Sequence, residues 1–484
     1  MALLLFMTLA AWSMGSAVGS SPDEDYVLTS IWCGTEGNPP YCRKDPDRAN
    51  AMILPIMAAE PQLCYMPGNG VESAACQKSI LNQEISTKHY NRGLYPPYYL
   101  NFHRNFVSHG IESSVVKMRL TNSLLATVLV FVTFPLVRKK NSDVLIAWLA
   151  VITPVTSYII ASVNTSSWTL IGTSSFTFAI LGALKNRKRM KIGVLFALVS
   201  LLIFWFTTLS RYEGKYLILL IFVFTTCSEI IPSSFRFTKK SVLIISATLL
   251  AIYLTFNSIA NLFGRVNIFD DSRVVNTLTS NNLFIHNVLN LPRFLLGYFG
   301  SWGLGWFEVA LTSTVWIFSL QTFLITTVFA FRKSNMLHRY VIGISLFFMC
   351  SAILYASQQQ FEEIYDGLQP RYFLPFFLGI VIIAAANKTE RYPNSLVITV
   401  AILATISNSI ALRDTIRRYT TGQDVFISKS LNDPIEWWWQ FGPQPETVWL
   451  TGTLAFAALW ALLIYDRNKN EVEAPNSPAP ELAN

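Results

Sequence analysis

The chain has 484 residues, of which 52% are hydrophobic and only 14% charged, with 37 Lys and Arg against 29 Asp and Glu for a formal charge of +8. Long uncharged runs recur to the C-terminus, which excludes an ordinary soluble domain and marks a polytopic membrane protein. The basic residues sit in short clusters between apolar runs rather than along one stripe or tail, so no nucleic-acid partner is implied.

A helix needs about 20 residues to cross a hydrocarbon core of roughly 30 Å. Twelve candidate spans meet that length in chain order: 2–20, 116–137, 143–163, 168–184, 192–208, 216–233, 241–262, 309–331, 339–356, 373–386, 395–412 and 447–465. The clusters "RKK" (138–140), "KNRKRMK" (185–191), "RFTKK" (236–240), "RKSNMLHR" (332–339) and "NKTER" (387–391) fall in every second loop. Lys and Arg at helix ends favour the cytoplasmic side, so both termini are expected in the cytoplasm of a cell bounded by this plasma membrane. The expected fold class is all-α: a transmembrane helix bundle of about 12 spans.

Residues 1–20 form either the first transmembrane helix or a signal segment; they end in small residues but carry no positive n-region. The twelve-span count favours retention. Residues 21–114 make the first extracytoplasmic loop, long enough to fold as a cap, and 115–466 form the bundle. The tail from 467 to 484 is polar, without apolar periodicity, and is expected to be disordered. Shorter outer loops are expected at 263–290, 357–371 and 413–446.

Cys33, Cys42, Cys64 and Cys76 all lie in the first loop, whereas Cys227 and Cys350 lie in apolar segments. Four cysteines allow three pairings; Cys33 with Cys42 and Cys64 with Cys76 close the shortest loops, and two disulfides are expected. His89, His103 and His109 show no zinc-site spacing, and no metal ligand set is assigned.

Three carboxylates, Asp23, Glu24 and Asp25, follow the first apolar run directly. At the headgroup boundary the dielectric falls and a carboxylate becomes more basic, so the triplet offers a candidate general base; the plain alternative is a boundary marker. "YDGLQPRYFLPFF" (365–377) sets Arg371 at the entrance to an apolar run, where a guanidinium can grip a phosphate in bidentate fashion or merely snorkel to headgroups. An acidic base and a cationic anion holder on one face describe a site for a lipid-phosphate donor.

Other stretches supply secondary candidates. "SRYEGKY" (210–216) offers Arg211 and Lys215 to the same phosphate or forms a local ion pair through Glu213. "YFGSWGLGWFE" (298–308) reads as a re-entrant or interfacial segment in which Trp302 and Trp306 serve as interfacial anchors or sugar-stacking platforms. Gln369 and Tyr372 flank Arg371 as further substrate contacts, and "FDDSR" offers Asp270 and Asp271 to an acceptor or a divalent cation. "DPIEWWWQF" (433–441) is an interfacial anchor by default. No phosphate-binding glycine loop or nucleophile elbow occurs.

The stretches "SPDEDYVLTSIWCG", "SRYEGKY", "GSWGLGWFEVALTS" (300–313) and "LQPRYFLPF" (368–376), in this order, resemble the DUF2142 family of bacterial polytopic proteins, with the Cys-rich first loop closest to its actinobacterial branch. That family is grouped with the GT-C glycosyltransferases. The resemblance implies an enzyme that takes a sugar from a polyprenyl phosphate on the extracytoplasmic face and delivers it, with inversion, to a cell-envelope glycan or lipid acceptor among the membrane lipids. It places the base at Asp23 or Glu24, with Asp25 as a third candidate, and the donor phosphate at Arg371. Two departures stand out: Val27 and Leu28 occupy the place of a His common in the family, and Pro370 stands where Gly usually precedes the Arg. A lipid transporter or flippase and a non-catalytic assembly protein are the alternative readings. The spans read as almost free of charge, which argues against a transporter.

Overall fold

In a computed structural model of the chain, the described residues are 1–34, 37–66, 72–137, 142–230, 280–360, 362–364, 368–423 and 430–472. The expected span at 241–262, the cluster at 236–240, the pair Asp270 and Asp271 and most of the polar tail lie outside them.

The molecule is a helix bundle with a small cap. α1 (Ala2–Met14) leads through a turn into α2 (Glu24–Cys33), the first cap helix. The cap continues through a three-stranded antiparallel sheet of β1 (Arg43–Lys44), β2 (Met52–Pro55) and β3 (Glu84–Thr87), in the order β1-β2-β3, and closes with α3 (Pro97–Arg104). The register pairs Arg43 and Ser86 with Ile53. Disulfides join Cys33 to Cys42 and Cys64 to Cys76, the two short-loop pairings. They staple the loops of a cap whose apolar residues, among them Val27, Leu28, Ile31, Trp32 and Leu54, are buried.

The bundle proper begins with α4 (Ile111–Val137), followed by α5 (Ser142–Ala150), α6 (Pro154–Ile160) and α7 (Thr165–Lys185). α8 (Met190–Thr208) and α9 (Gly214–Ile230) complete the first half. Then come α10 (Ser280–Leu296), α11 (Ser313–Arg332), α12 (Met336–Gln360), α13 (Leu374–Ala386), α14 (Asn394–Thr420) and α15 (Pro445–Val472).

Seven described helices are long and apolar enough to cross a membrane: α4, α7, α8, α11, α12, α14 and α15. The count of twelve is not reached among the described residues: besides 241–262, which lies outside them, the expected span 216–233 is described only as the 17 residues of α9, and three further places show a physical reason. The expected span 143–163 is a broken pair, α5 and α6, bent by 92° where Pro154 starts the second helix. The first apolar run helps only Ala2–Met14 into a helix, because Gly15 ends it and a turn follows. α13 has 13 residues, roughly 20 Å at the helical rise, shorter than the roughly 30 Å of a hydrocarbon core. In the other direction, part of the expected loop 263–290 is helical, since α10 starts at Ser280, and α14 runs eight residues beyond the expected end at 412.

α7 is the hub. It packs against α4, α8, α9 and α13, and nineteen of its residues, from Thr165 to Ala183, are buried. Its Ser, Thr and Gly content explains this, because small side chains let neighbouring backbones approach closely where no solvent-driven force acts between helices. At Gly172 a Cβ would lie 2.0 Å from Thr207 Oγ1 of α8, so only Gly fits. α13 is also buried along its whole length, with Gly379 admitting Ile221 of α9.

The two ends of the bundle are tied differently. Away from the cap, Asp143 at the start of α5 accepts from Arg467 Nη1 of α15 at 2.7 Å, from the Tyr392 backbone N–H at 3.0 Å and from Lys388. This buried cluster closes three distant segments on one carboxylate. At the cap end, the loop before α15 holds the cap down: Lys78 donates to the Glu436 carbonyl at 2.8 Å, and Trp439 Nε1 donates to the Met14 carbonyl at 2.8 Å. Trp437, Trp438 and Trp439 are thus packing and anchoring residues.

Replacing Gly172 by Val forces α7 and α8 apart. We expect a loss of at least about 1–3 kcal/mol, the usual cost of overpacking a close-packed site, read as a lowered thermal midpoint in detergent, with Gly172→Ala milder than Gly172→Val.

Candidate functional site at the cap end of the bundle

The acidic triplet separates into three environments within three residues. Glu24 opens α2 and is fully buried. Its Oε2 accepts from Arg119 Nη2 at 2.8 Å and its Oε1 from Arg119 Nε at 3.1 Å, while the backbone N–H groups of Val163 and Ser21 add bonds of 3.1 and 3.2 Å. Arg119 lies in α4 and also donates to the carbonyls of Ser16 and Ala17, each at 2.7 Å. A buried ion pair is tolerated only with such complete hydrogen bonding. This pair is fully engaged and faces no open space.

Asp25 is engaged as well. It accepts from Gln62 Nε2 at 2.8 Å and from the Tyr26 N–H at 2.7 Å, with His89 Nε2 at 3.6 Å. The bond to Asp25, followed by Coulomb attraction, raises the proton affinity of partly exposed His89 above the ordinary imidazole value.

Asp23 differs from both. It is the N-terminal cap of α2 in the left-handed region, φ 63°, a conformation most side chains avoid and Asp tolerates. Asn164, which caps α7 through its Oδ1, donates from Nδ2 to the Pro22 carbonyl at 2.6 Å and so fixes the preceding residue. The carboxylate is 28% exposed, and its Oδ2 accepts from Arg371 Nη2 at 2.7 Å. The sequence-distant triplet and the "LQPRY" turn therefore meet.

Arg371 sits in the 3-10 turn Pro370–Tyr372 ahead of α13, with its side chain only 4% exposed. Nη2 also reaches the Tyr372 hydroxyl at 3.3 Å. Nε and Nη1 are buried and have no hydrogen-bond partner among the described residues. Each unpaired buried donor costs about 1–3 kcal/mol, more where the group is charged. Two such donors on one guanidinium leave it able to bond a further acceptor.

Arg371 lines a cleft together with Pro22, Tyr158, Trp302, Gly305, Phe307 and Gln369. The cleft is small, with a cavity volume of about 40 Å³. Trp302 and Gln369 thus line the same cleft as Arg371. Trp306 does not line the cleft: its Nε1 donates to the Gly19 carbonyl at 3.0 Å, fastening the glycine-rich turn to the segment before the triplet.

Arg211 lies alongside. It bonds Glu213 Oε1 through Nε at 2.6 Å and Ser166 through Nη1 at 2.8 Å, the local ion pair that "SRYEGKY" suggested. Its guanidinium also stacks 5.0 Å from the Tyr372 ring centroid, and Arg371 stands 5.1 Å from the same ring. Tyr95 of the cap covers Arg211 at 5.3 Å. Lys215 contacts the Tyr216 ring instead and takes no part in this cluster.

Sequence reasoning missed Arg119 and Tyr95. Arg119 was detectable as a charge inside an apolar run, and its presence corrects the reading of nearly charge-free spans. Among the described residues no group of three or more His, Cys, Asp or Glu is arranged to hold a metal ion.

The fold and this half-buried polar site define a helical membrane protein with a disulfide-stapled cap. The model of the family described as "Predicted membrane protein (DUF2142)" matches residues 6–380, and the chain belongs to that family. No curated protein and no solved structure matches it.

Two measurements test the assignments of the triplet. Glu24→Gln should cost about 3–5 kcal/mol by leaving Arg119 buried and unpaired, whereas Glu24→Gln with Arg119→Met should recover part of it, because replacing both partners removes the orphan charge; chemical denaturation in detergent reads both. For His89, a raised folded-state pKa means that the stabilisation is fully present below about 6.5 and is lost as pH rises through the folded value. The thermal midpoint should therefore fall from pH 6 toward pH 8 by an amount that disappears in His89→Gln.

Proposed function

We propose that the protein is a membrane glycosyltransferase of the GT-C type, using a polyprenyl-phosphate sugar as donor and a cell-envelope glycan or lipid as acceptor on the extracytoplasmic face of the plasma membrane. The observation that carries this reading is the meeting of Asp23 and Arg371 at the cleft, with two donors of Arg371 unpartnered. Both termini then lie in the cytoplasm.

In this reading a phosphate oxygen of the donor accepts from one of the free donors of Arg371, Nε or Nη1, which lie on different edges of the guanidinium. The acceptor hydroxyl attacks the anomeric carbon from the opposite side, the bond from that carbon to the phosphate oxygen breaks with its electron pair, and the hydroxyl proton passes to Asp23. Configuration inverts. The leaving polyprenyl phosphate gains negative charge as the bond breaks, so a fixed guanidinium stabilises the transition state more than the ground state. Asp23 holds one oxygen on Arg371 and keeps the other for the acceptor, within reach of proton transfer. Glu24 and Asp25, being fully bonded, position Asp23 instead of acting in its place. Arg211 and Tyr372 shape the cationic wall, and Gln369 borders the sugar.

A flippase remains the second reading, favoured by one observation: the broken pair α5 and α6 beside the short α13. Interrupted helices of this kind line transport paths in other folds.

Purified protein in lipid, offered a panel of polyprenyl-phosphate sugars with a glycan acceptor, should consume one donor. Asp23→Asn should lower turnover by at least about a hundredfold with donor binding retained, the usual weight of a general base, and Arg371→Ala should weaken donor binding and turnover together. A flippase would instead move labelled lipid across vesicles with no sugar transferred.

A further inference from the structure

The glycine-rich turn that follows α10 holds three features that the phosphate site does not use. Phe307 has φ 70°, a left-handed conformation that is a genuine outlier for a bulky side chain, and yet it is 42% exposed. Its ring meets Trp302 edge to face at 5.6 Å, and both residues line the cleft. Glu308 follows directly. Its Oε1 accepts from the Tyr419 hydroxyl at 2.5 Å, while Oε2 is buried and has no hydrogen-bond partner among the described residues. The carboxylate is pressed against Gly305, a wall residue of the cleft: a Cβ there would lie 2.3 Å from Oε2 and 2.4 Å from Oε1.

Each feature costs stability. A strained backbone at Phe307 holds an apolar ring toward solvent, and a bridge between Leu304 and Val309 together with the bond from Gln423 Nε2 to the Glu308 carbonyl at 2.9 Å holds the turn in that shape. Burial pushes the Glu308 carboxyl upward in proton affinity. Two aromatic edges beside a carboxylate with a spare acceptor is the combination that recognises a pyranose or furanose ring, whose C–H face packs on aromatic surface while its hydroxyls donate to oxygen.

We propose that the turn from Trp302 to Glu308 is a carbohydrate subsite on the wall of the cleft, in which Trp302 and Phe307 pack against a sugar ring and Glu308 Oε2, behind Gly305, accepts from one of its hydroxyls. This deepens the glycosyltransferase reading by assigning the place of a sugar, but its binding chemistry is separate from that of the phosphate.

The test uses the full chain in nanodiscs and two probes that divide the chemistry. One is a set of octyl glycosides, which carry a sugar and an alkyl chain without phosphate; the other is polyprenyl phosphate without sugar. Binding is read by ligand-observed NMR against an octyl chain bearing a single hydroxyl. Glu308→Gln and Phe307→Gly should each weaken the preferred octyl glycoside by at least about tenfold, the weight of one charged hydrogen bond or one stacking face, and should leave polyprenyl phosphate binding unchanged. Phe307→Gly also relieves the left-handed strain, so its thermal midpoint should hold or rise while glycoside binding is lost, an outcome that misfolding cannot mimic. Arg371→Ala should do the reverse, losing polyprenyl phosphate and keeping the glycoside. Glycoside binding that is absent from the wild type, or unmoved by both turn variants, overturns the subsite. Failure of polyprenyl phosphate to bind, with the glycoside still dependent on Glu308, overturns the donor reading and leaves the subsite standing.

Discussion

The buried pair between Glu24 and Arg119 sets the geometry on which the cap end of the molecule depends. One guanidinium gathers the carbonyls of Ser16 and Ala17 at the end of the first segment and the carboxylate that opens α2, while the same carboxylate takes the Val163 N–H from the approach to α7. Four chain segments converge on two side chains. In a region of low dielectric such a pair tolerates no missing bond, and its completeness makes the turn between α1 and α2 a single rigid object.

From that object the site follows. Asp23 precedes Glu24 by one residue, and with Glu24 immobilised and Pro22 held by Asn164 its backbone is driven into the left-handed region. Its carboxylate then has one direction available, toward Arg371. The second half of the site is equally constrained, since Arg371 lies in the tight turn at the head of α13, a helix buried on every side. Two rigid elements bring opposite charges into direct contact beside the cleft, and the left-handed backbone at Asp23 accompanies that contact.

The sequence shows part of this arrangement and hides part of it for identifiable reasons. Apolar run length reveals a helical membrane protein, and cysteine clustering reveals the stapled cap, because both are properties of composition along the chain. The triplet and the "LQPRY" turn stand out as charge at the edges of apolar runs. Which acid faces which partner is another matter: successive residues on a helix point about 100° apart, so Asp23, Glu24 and Asp25 look alike in sequence and unlike in space. Arg119 lies hidden in a run otherwise fit to span a membrane. The break between α5 and α6 is invisible to hydropathy, which measures apolar length and takes no account of direction, and Phe307 acquires its significance only from a backbone angle.

The left-handed conformation at position 23 also bears on how this site could change over generations. That backbone region is favourable to Gly, Asn and Asp and costly for longer or branched side chains, Glu among them. The shape of the turn therefore favours few residues at this position, and among the acids it favours Asp over Glu. Asn or Gly at this point would keep the shape of the turn and remove the ion pair to Arg371, so the turn and the charge are separable by a single substitution.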